Sequence, residues 1–231
     1  MNTLDKVDWV ERNCMCARYD LLIPREAYAQ LFDADIATDS NFPPRYNVAP
    51  TDPMPIVRLN REGRREVIIA RWGLVPHWST VLPKTAHINA RAEKVHELPM
   101  FRDAFAKSRC LIPATGYFEW QTLPDGKQPW RFTIKGGGPM AFAGLTAKAQ
   151  IGDQTIRSMT MIVGEGNPLT STVHDRMPII LSPDHYGDWL DPSASINELR
   201  QLLKPYPHEQ MECYPVSRVV NWVRNDVEEC V

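Results

Sequence analysis

The chain has 231 residues and a formal net charge of −2, so no global basic field recruits nucleic acid and any such binding needs a local patch. Apolar content of 43 % and charged content of 23 % are those of an ordinary globular protein, and no apolar run approaches the roughly 18 residues that cross a bilayer. Residues 1–14 lack the basic-then-apolar layout of a signal peptide, and five scattered cysteines argue for reduced thiols over a disulfide framework; both readings place the protein in the cytoplasm.

In chain order, residues 23–34 read as a helix, with Pro24 suited to its first turn and Tyr28, Leu31 and Phe32 on one face. Strands are expected over 54–59 and 67–74, then a second helix over 97–107. Further strands follow over 110–120, 130–134, 140–147, 158–163, 178–181 and 212–216. Asp125-Gly126 and Gly136-Gly137-Gly138 mark hairpin-type turns between them. Ser182-Pro183-Asp184 opens a short helix, and Ser195 with Glu198 forms a capping box for another that carries Leu199, Leu202 and Leu203 and stops before Pro205. Strands predominate and helices do not alternate regularly with them. The prediction is a single α+β domain on a curled, mostly antiparallel, barrel-like sheet with flanking helices.

Cys16 follows an internal methionine in Asn13-Cys14-Met15-Cys16-Ala17-Arg18-Tyr19. If Cys16 becomes N-terminal, it carries an α-amine and a thiol on one residue. Such a 1,2-aminothiol condenses with an aldehyde: the amine forms an imine and the thiol closes it into a thiazolidine. The amine titrates near about 8 and the thiol near about 8.5, so part of the amine is unprotonated at neutral pH. Ring closure is then intramolecular. The plainer reading makes Met15-Cys16 the apolar start of a first strand. Cys14 and Cys16 have no companion Cys or His cluster, so no metal site is expected.

Glu119 lies in Gly116-Tyr117-Phe118-Glu119-Trp120. Alternation would send Phe118 and Trp120 one way, Tyr117 and Glu119 the other. A buried Glu119 would have a raised pKa suited to proton transfer, whereas a solvent-facing one would be inert. His174 in His174-Asp175-Arg176-Met177-Pro178 could protonate a leaving oxygen or be structural. If 88–91 is extended, Asn89 and Arg91 share a face, a neutral hydrogen bonder beside a phosphate clamp. Arg18 and Arg176 are further candidates for phosphates, with salt bridges as the alternative. Trp72 and Trp78 could stack on bases or pack in the core.

The order of these motifs is more specific than any one of them. Met15-Cys16-Ala17-Arg18, Arg45-Tyr46-Asn47-Val48-Ala49-Pro50, Trp72-Gly73 with Pro76 and Trp78, Ile88-Asn89-Ala90-Arg91-Ala92-Glu93, Gly116-Tyr117-Phe118-Glu119-Trp120, His174-Asp175-Arg176-Met177-Pro178 and Pro215-Val216-Ser217 with Asn225-Asp226 follow one another. The series resembles the SRAP family of SOS response-associated peptidases, or abasic-site processing proteins, over nearly the whole chain. The resemblance implies a domain over 16–226 preceded by an extension, 1–15, and followed by a tail, 227–231. It implies covalent capture of abasic sites in single-stranded DNA through an N-terminal Cys16, a crosslinking or lyase-type activity joined to self-processing, by a cytoplasmic monomer that associates with the nucleoid and needs no cofactor. Asn89 would orient Cys16, Glu119 would act as general acid and base, and His174 would assist opening of the sugar. Arg18, Arg91 and Arg176 would grip phosphates, Trp72 and Trp78 would support displaced bases, and Asn47 and Pro50 join the DNA-binding set.

Three departures bear on this. Fifteen residues precede Cys16, either because translation starts at Met15, the favoured reading, or because a propeptide is removed. Ala17 replaces a glycine of the family motif, which would restrict the backbone if positive φ were needed. The run Ile162-Val163-Gly164-Glu165-Gly166-Asn167 lacks the family's threonines. Two other functions stay open: a cysteine peptidase using Cys16 with His174 as base, and a non-covalent reader of single strands.

Overall fold

The computed structural model describes residues 16–37 and 41–231; the 1–15 extension, with Cys14 and Met15, lies outside them. Its strands are β1 (Arg18–Leu21), β2 (Asp35–Ile36), β3 (Arg45–Val48), β4 (Pro53–Leu59), β5 (Arg65–Trp72), β6 (Asn89–Arg91) and β7 (Arg109–Ala114). There follow β8 (Gly116–Leu123), β9 (Gly126–Ile134), β10 (Met140–Ile151), β11 (Gln154–Glu165), β12 (Arg176–Pro178), β13 (Ile180–Leu181) and β14 (Met211–Pro215). No helix among the described residues is long and apolar enough to cross a membrane.

Five strands close into a ring. β4 pairs antiparallel with β5 and β7, β7 with β10, and β10 with β11, while β5 returns to β11 in parallel. An odd ring cannot alternate direction all the way round, so one parallel pair is a topological necessity. On β5, Ala70 and Trp72 flank the less buried Arg71 and point inward, while β4 is buried throughout residues 54–57. All six residues of β7 are buried, which explains why this segment reads as an unbroken apolar run.

The second sheet runs β14-β9-β8-β1-β3. One of its faces packs on the barrel. Tyr19 meets Trp72 edge-on at 5.2 Å and Phe142 at 5.9 Å, and Tyr117 meets Phe142 at 6.2 Å. Its opposite face is covered by residues 216–231, where Phe118, Val220 and Cys230 form a small separate core. The expected 110–120 strand is thus two strands, β7 in the barrel and β8 in the second sheet. The break falls at Thr115, whose amide donates to the Asp20 carbonyl at 2.9 Å. The glycine run 136–138 likewise links β9 in one sheet to β10 in the other and is not a hairpin turn. Asp125 does close the β8–β9 hairpin, in which Leu123 pairs with Gly126.

Helices are short and sit where expected, with trimmed ends. In 23–34 a 3-10 turn, Arg25–Ala27, leads into the helix Tyr28–Phe32, which buries Tyr28 and Phe32 but leaves Leu31 exposed, contrary to the expected face. The 97–107 stretch is helical only over Arg102–Lys107. The Ser195 capping box is formed in both directions, Ser195 N to Glu198 Oε2 at 2.8 Å and Glu198 N to Ser195 Oγ at 3.3 Å. Buried Arg109 caps two helix ends at once: it donates to the Phe105 and Ala106 carbonyls in the last turn of Arg102–Lys107 and to those of Trp189 and Asp191 at the end of Tyr186–Leu190.

Candidate active site

Cys16 stands two residues before the start of β1, and β1 lies antiparallel to β8 with Tyr19 opposite Tyr117 and Asp20 opposite Gly116. That register carries the Cys16 nitrogen to the Glu119 side chain, and the two meet: Cys16 N donates to Glu119 Oε1 at 2.8 Å. The alternation read along Gly116–Trp120 is present. Tyr117 and Glu119 face the barrel with Cys16, while Phe118 and Trp120 face the C-terminal segment.

The register is locked from beneath. Asp20 is fully buried and accepts both Arg131 Nε and Arg131 Nη2 at 2.9 Å, a bidentate pair spanning β1, β8 and β9. Gly116 lies over this pair, where a Cβ would fall 2.7 Å from Asp20 Oδ2 and 2.8 Å from Arg131 Nε. Only glycine leaves the ion pair room.

Glu119 is 2 % exposed. Burial pushes its carboxyl up to about 7, opposed by nearby His174 and by hydrogen bonds with Cys16. The Cys16 thiol is raised well above its ordinary range by burial and by the Glu119 carboxylate, with Arg176 pulling the other way. The pocket therefore holds a protonated thiol beside an acid that can exchange a proton near neutral pH. His174 Nδ1 accepts the Arg176 backbone N–H at 3.0 Å, which leaves the proton of a neutral ring on Nε2. Tyr117 closes the floor, its hydroxyl 2.9 Å from Thr170 Oγ1.

The other arm of the site comes from β11. Its partners β6 and β12 lie on opposite edges, with Val163 opposite both Arg91 and Pro178. Asn89 and Arg91 sit two apart on β6 and share a face; Asn89 is half-buried and Arg91 exposed. Glu93, just past β6, accepts from Arg176 Nη1 at the start of β12, so one ion pair ties the two edges together. Glu93 had no role in the sequence reading, although it ends the Asn-Ala-Arg-Ala-Glu motif.

Three expected DNA contacts are corrected. Trp72 is fully buried, its Nε1 donating to the Ile88 carbonyl at 2.9 Å, because its position on β5 points into the closed barrel. Arg18 is 4 % exposed and donates to Asn47 Oδ1 at 2.7 Å and to the carbonyls of Val220 and Asn221 at 2.8 and 3.2 Å. Asn47 is fully buried, its Nδ2 donating to the Val220, Trp222 and Asn225 carbonyls. Arg18 and Asn47 thus strap down the C-terminal segment, helped by Asp226, which accepts the Tyr46 and Asn47 amides at 2.6 and 3.0 Å. Trp78 is half exposed and Pro50 partly so. The substitution at Ala17 causes no conflict: positive φ falls on Cys16, at 45°, and not on residue 17.

Known proteins resemble this chain in sequence and in fold. A family model described as SOS response associated peptidase (SRAP) matches residues 15–223. The chain is 36 % identical over 221 residues to the abasic site processing protein YoaM of Bacillus subtilis, covering 93 % of this chain and 96 % of that one. It is 30 % identical to the abasic site processing protein YedK of Escherichia coli, covering 94 % and 99 %. A crystal structure of a protein from Bacteroides thetaiotaomicron superposes with a TM-score of 0.83 at 27 % identity, over 93 % of this chain and 98 % of the other. A second, from Bordetella bronchiseptica, gives 0.76 at 30 % identity over 87 % and 100 %. With its sequence matched from end to end of the domain and its fold superposed on solved structures, the chain belongs to the SRAP family.

Proposed function

We propose that this protein processes abasic sites in DNA, and that it does so by capturing the ring-opened sugar of a single strand as a thiazolidine on an N-terminal Cys16. The observation that carries the reading is the 2.8 Å hydrogen bond from the Cys16 nitrogen to a buried carboxyl poised near neutrality. The names of the relatives and membership of the family support the abasic-site substrate.

The chemistry follows from these groups. His174 Nε2–H would hydrogen-bond the sugar ring oxygen as the hemiacetal opens, that oxygen taking a proton from solvent while the C1′ hydroxyl gives one up to solvent, which exposes the C1′ aldehyde. The Cys16 amine adds to that carbon. Glu119 takes the proton the nitrogen loses and returns one to the carbinolamine hydroxyl, which leaves as water and yields the imine. The thiol then adds to the imine carbon, its proton passing to nitrogen, and the five-membered ring closes. A neutral thiol suits this last step, since sulfur and proton are both consumed. Asn89 would hold the nucleophile, and Arg91 and Arg176 would meet flanking phosphates while Trp78 stacks on a base.

The test uses protein beginning at Cys16 and a single-stranded oligonucleotide bearing one abasic site. Cys16→Ser should remove the denaturant-resistant adduct while leaving an imine that borohydride traps. An undiminished stable adduct from that variant would sink the reading.

A second activity, release of the residues ahead of Cys16, has its own support. Cys16 sits at φ 45° in the left-handed region, a strain of about 1–2 kcal/mol for a residue with a Cβ, and φ loses its meaning once the preceding peptide is gone. Glu119 touches the nitrogen that must be protonated as leaving group. Intact mass of the wild-type protein and of Glu119→Gln reads this directly: processing in the first and none in the second is expected, and equal processing in both refutes it.

A further inference from the structure

Arg71 is the penultimate residue of β5, opposite Pro53 of β4 and Ser158 of β11, and points away from the core that its neighbours Ala70 and Trp72 enter. Its guanidinium is half-buried, yet among the described residues it makes one hydrogen bond, Nη1 to the Gly73 carbonyl at 3.1 Å. It forms no ion pair among the described residues. Burial alone acts on it, lowering its proton affinity with no acid to offset the cost.

Three other partly or fully buried arginines are more fully engaged, although half-buried Arg65 has only the Phe32 carbonyl among the described residues. Arg131 has Asp20, Arg45 has Asp52 and Asp226, and Arg109 meets four backbone carbonyls. Arg71 keeps most of its five donors unused. The backbone is also shaped around it. Gly73 has φ +127°, and a Cβ there would fall 2.8 Å from Arg71 Nη1 and 2.9 Å from the Ala86 Cβ. This is where the loop 73–88 leaves the barrel, its base closed by the Leu74–His87 bridge, and that loop carries the half-exposed Trp78.

We propose that Arg71, packed against Gly73 at the base of the loop that carries Trp78, is a phosphate subsite for a single strand bound along that loop. A planar fork with free donors, part-shielded from water and lacking a carboxylate, matches a phosphodiester oxygen pair. The identity of the occupant as DNA rests on the function proposed above; the unsatisfied guanidinium does not.

The experiment follows binding of an undamaged single-stranded oligonucleotide to the full chain by fluorescence anisotropy across a salt series. Arg71→Gln should make the log–log salt dependence shallower by about 0.7, the contribution of one phosphate contact, and Arg71→Lys should keep most of it. The Arg71→Gln melting temperature should be no lower than wild type, because the change removes an uncompensated charge, whereas a structural arginine would lose stability. Inorganic phosphate, used alone in a thermal-shift arm, separates the two sources of the anion. A midpoint raised by phosphate with an unchanged oligonucleotide slope assigns the subsite to the free ion and overturns the proposal. So does an unchanged slope without any phosphate effect, or a fall in melting temperature in both variants. The strand carries no aldehyde, so failure of Cys16 to crosslink would overturn the proposed function and leave this result standing.

Discussion

Glu119→Gln isolates the cost of keeping a carboxyl in the floor of the pocket. The native group is displaced from 4.5 to about 7 by burial, and at about 1.4 kcal/mol per pH unit this is worth about 3 kcal/mol between its two protonation states. The folded chain binds this proton more tightly than the unfolded chain does. Its contribution to stability is therefore fully present below about pH 4.5, is lost as pH rises to about 7, and is constant above that. Glutamine does not titrate, and its carbonyl can still accept the Cys16 N–H. The variant should accordingly gain on wild type across that window, by about 3 kcal/mol from end to end. Urea unfolding of both proteins at half-unit steps, with m held common, measures the difference curve directly. A flat curve, or one that falls with pH, would refute the assignment of Glu119 as a destabilised acid. The same variant should crosslink abasic strands about 100-fold or more slowly, since it can neither take nor return a proton.

The two tryptophans of the 72–78 segment should behave oppositely. Trp72→Ala empties the barrel and should cost about 3–5 kcal/mol of stability. Trp78→Ala should leave unfolding within about 0.5 kcal/mol of wild type and weaken single-strand binding by about 1–3 kcal/mol, read by anisotropy. Gly116→Ala should cost about 3–5 kcal/mol in chemical unfolding by prising apart the buried Asp20–Arg131 pair; a neutral result would mean that the strands yield instead. Arg109→Met strands four backbone carbonyls and should destabilise by about 3 kcal/mol or more, with the loss of amide protection concentrated at Phe105, Ala106, Trp189 and Asp191.

Much of the site could be read from residue order because its parts are local. The face shared by Tyr117 and Glu119, the extended Asn89-Ala90-Arg91 and the capping box at Ser195 each follow from spacing of two or three residues. The errors have one origin, contacts made far along the chain. Arg18 and Asn47 looked like phosphate and base ligands because their partners, the carbonyls of residues 220–225, lie about 200 positions away. Trp72 and Trp78 were indistinguishable as indoles in a Gly/Pro-rich segment. Closure of the barrel decides between them, since only Trp72 is on a strand that points inward. Arg71 went unnoticed for the converse reason: nothing in the neighbouring residues announces that no acid will be brought to it. The Gly136–Gly138 turn was recognised as a turn, but a triple glycine does not reveal whether the next strand joins the same sheet or leaves it.

The one parallel seam of the five-strand ring has a consequence for biosynthesis. β5 emerges from the ribosome long before β11, and until residues 158–159 arrive its edge at Arg71 and Trp72 has nothing to pair with. At about 5–20 residues per second that wait lasts several seconds to a quarter of a minute. Throughout it, half the molecule is an open set of sticky strands, and the thiol near its front end has no pocket. Maturation is thus governed by the last third of the polypeptide, and a ribosome stalled before β11 would display a fragment with Cys16, Asn89 and Glu119 already made, His174 still to come, and none of the architecture that tames the thiol.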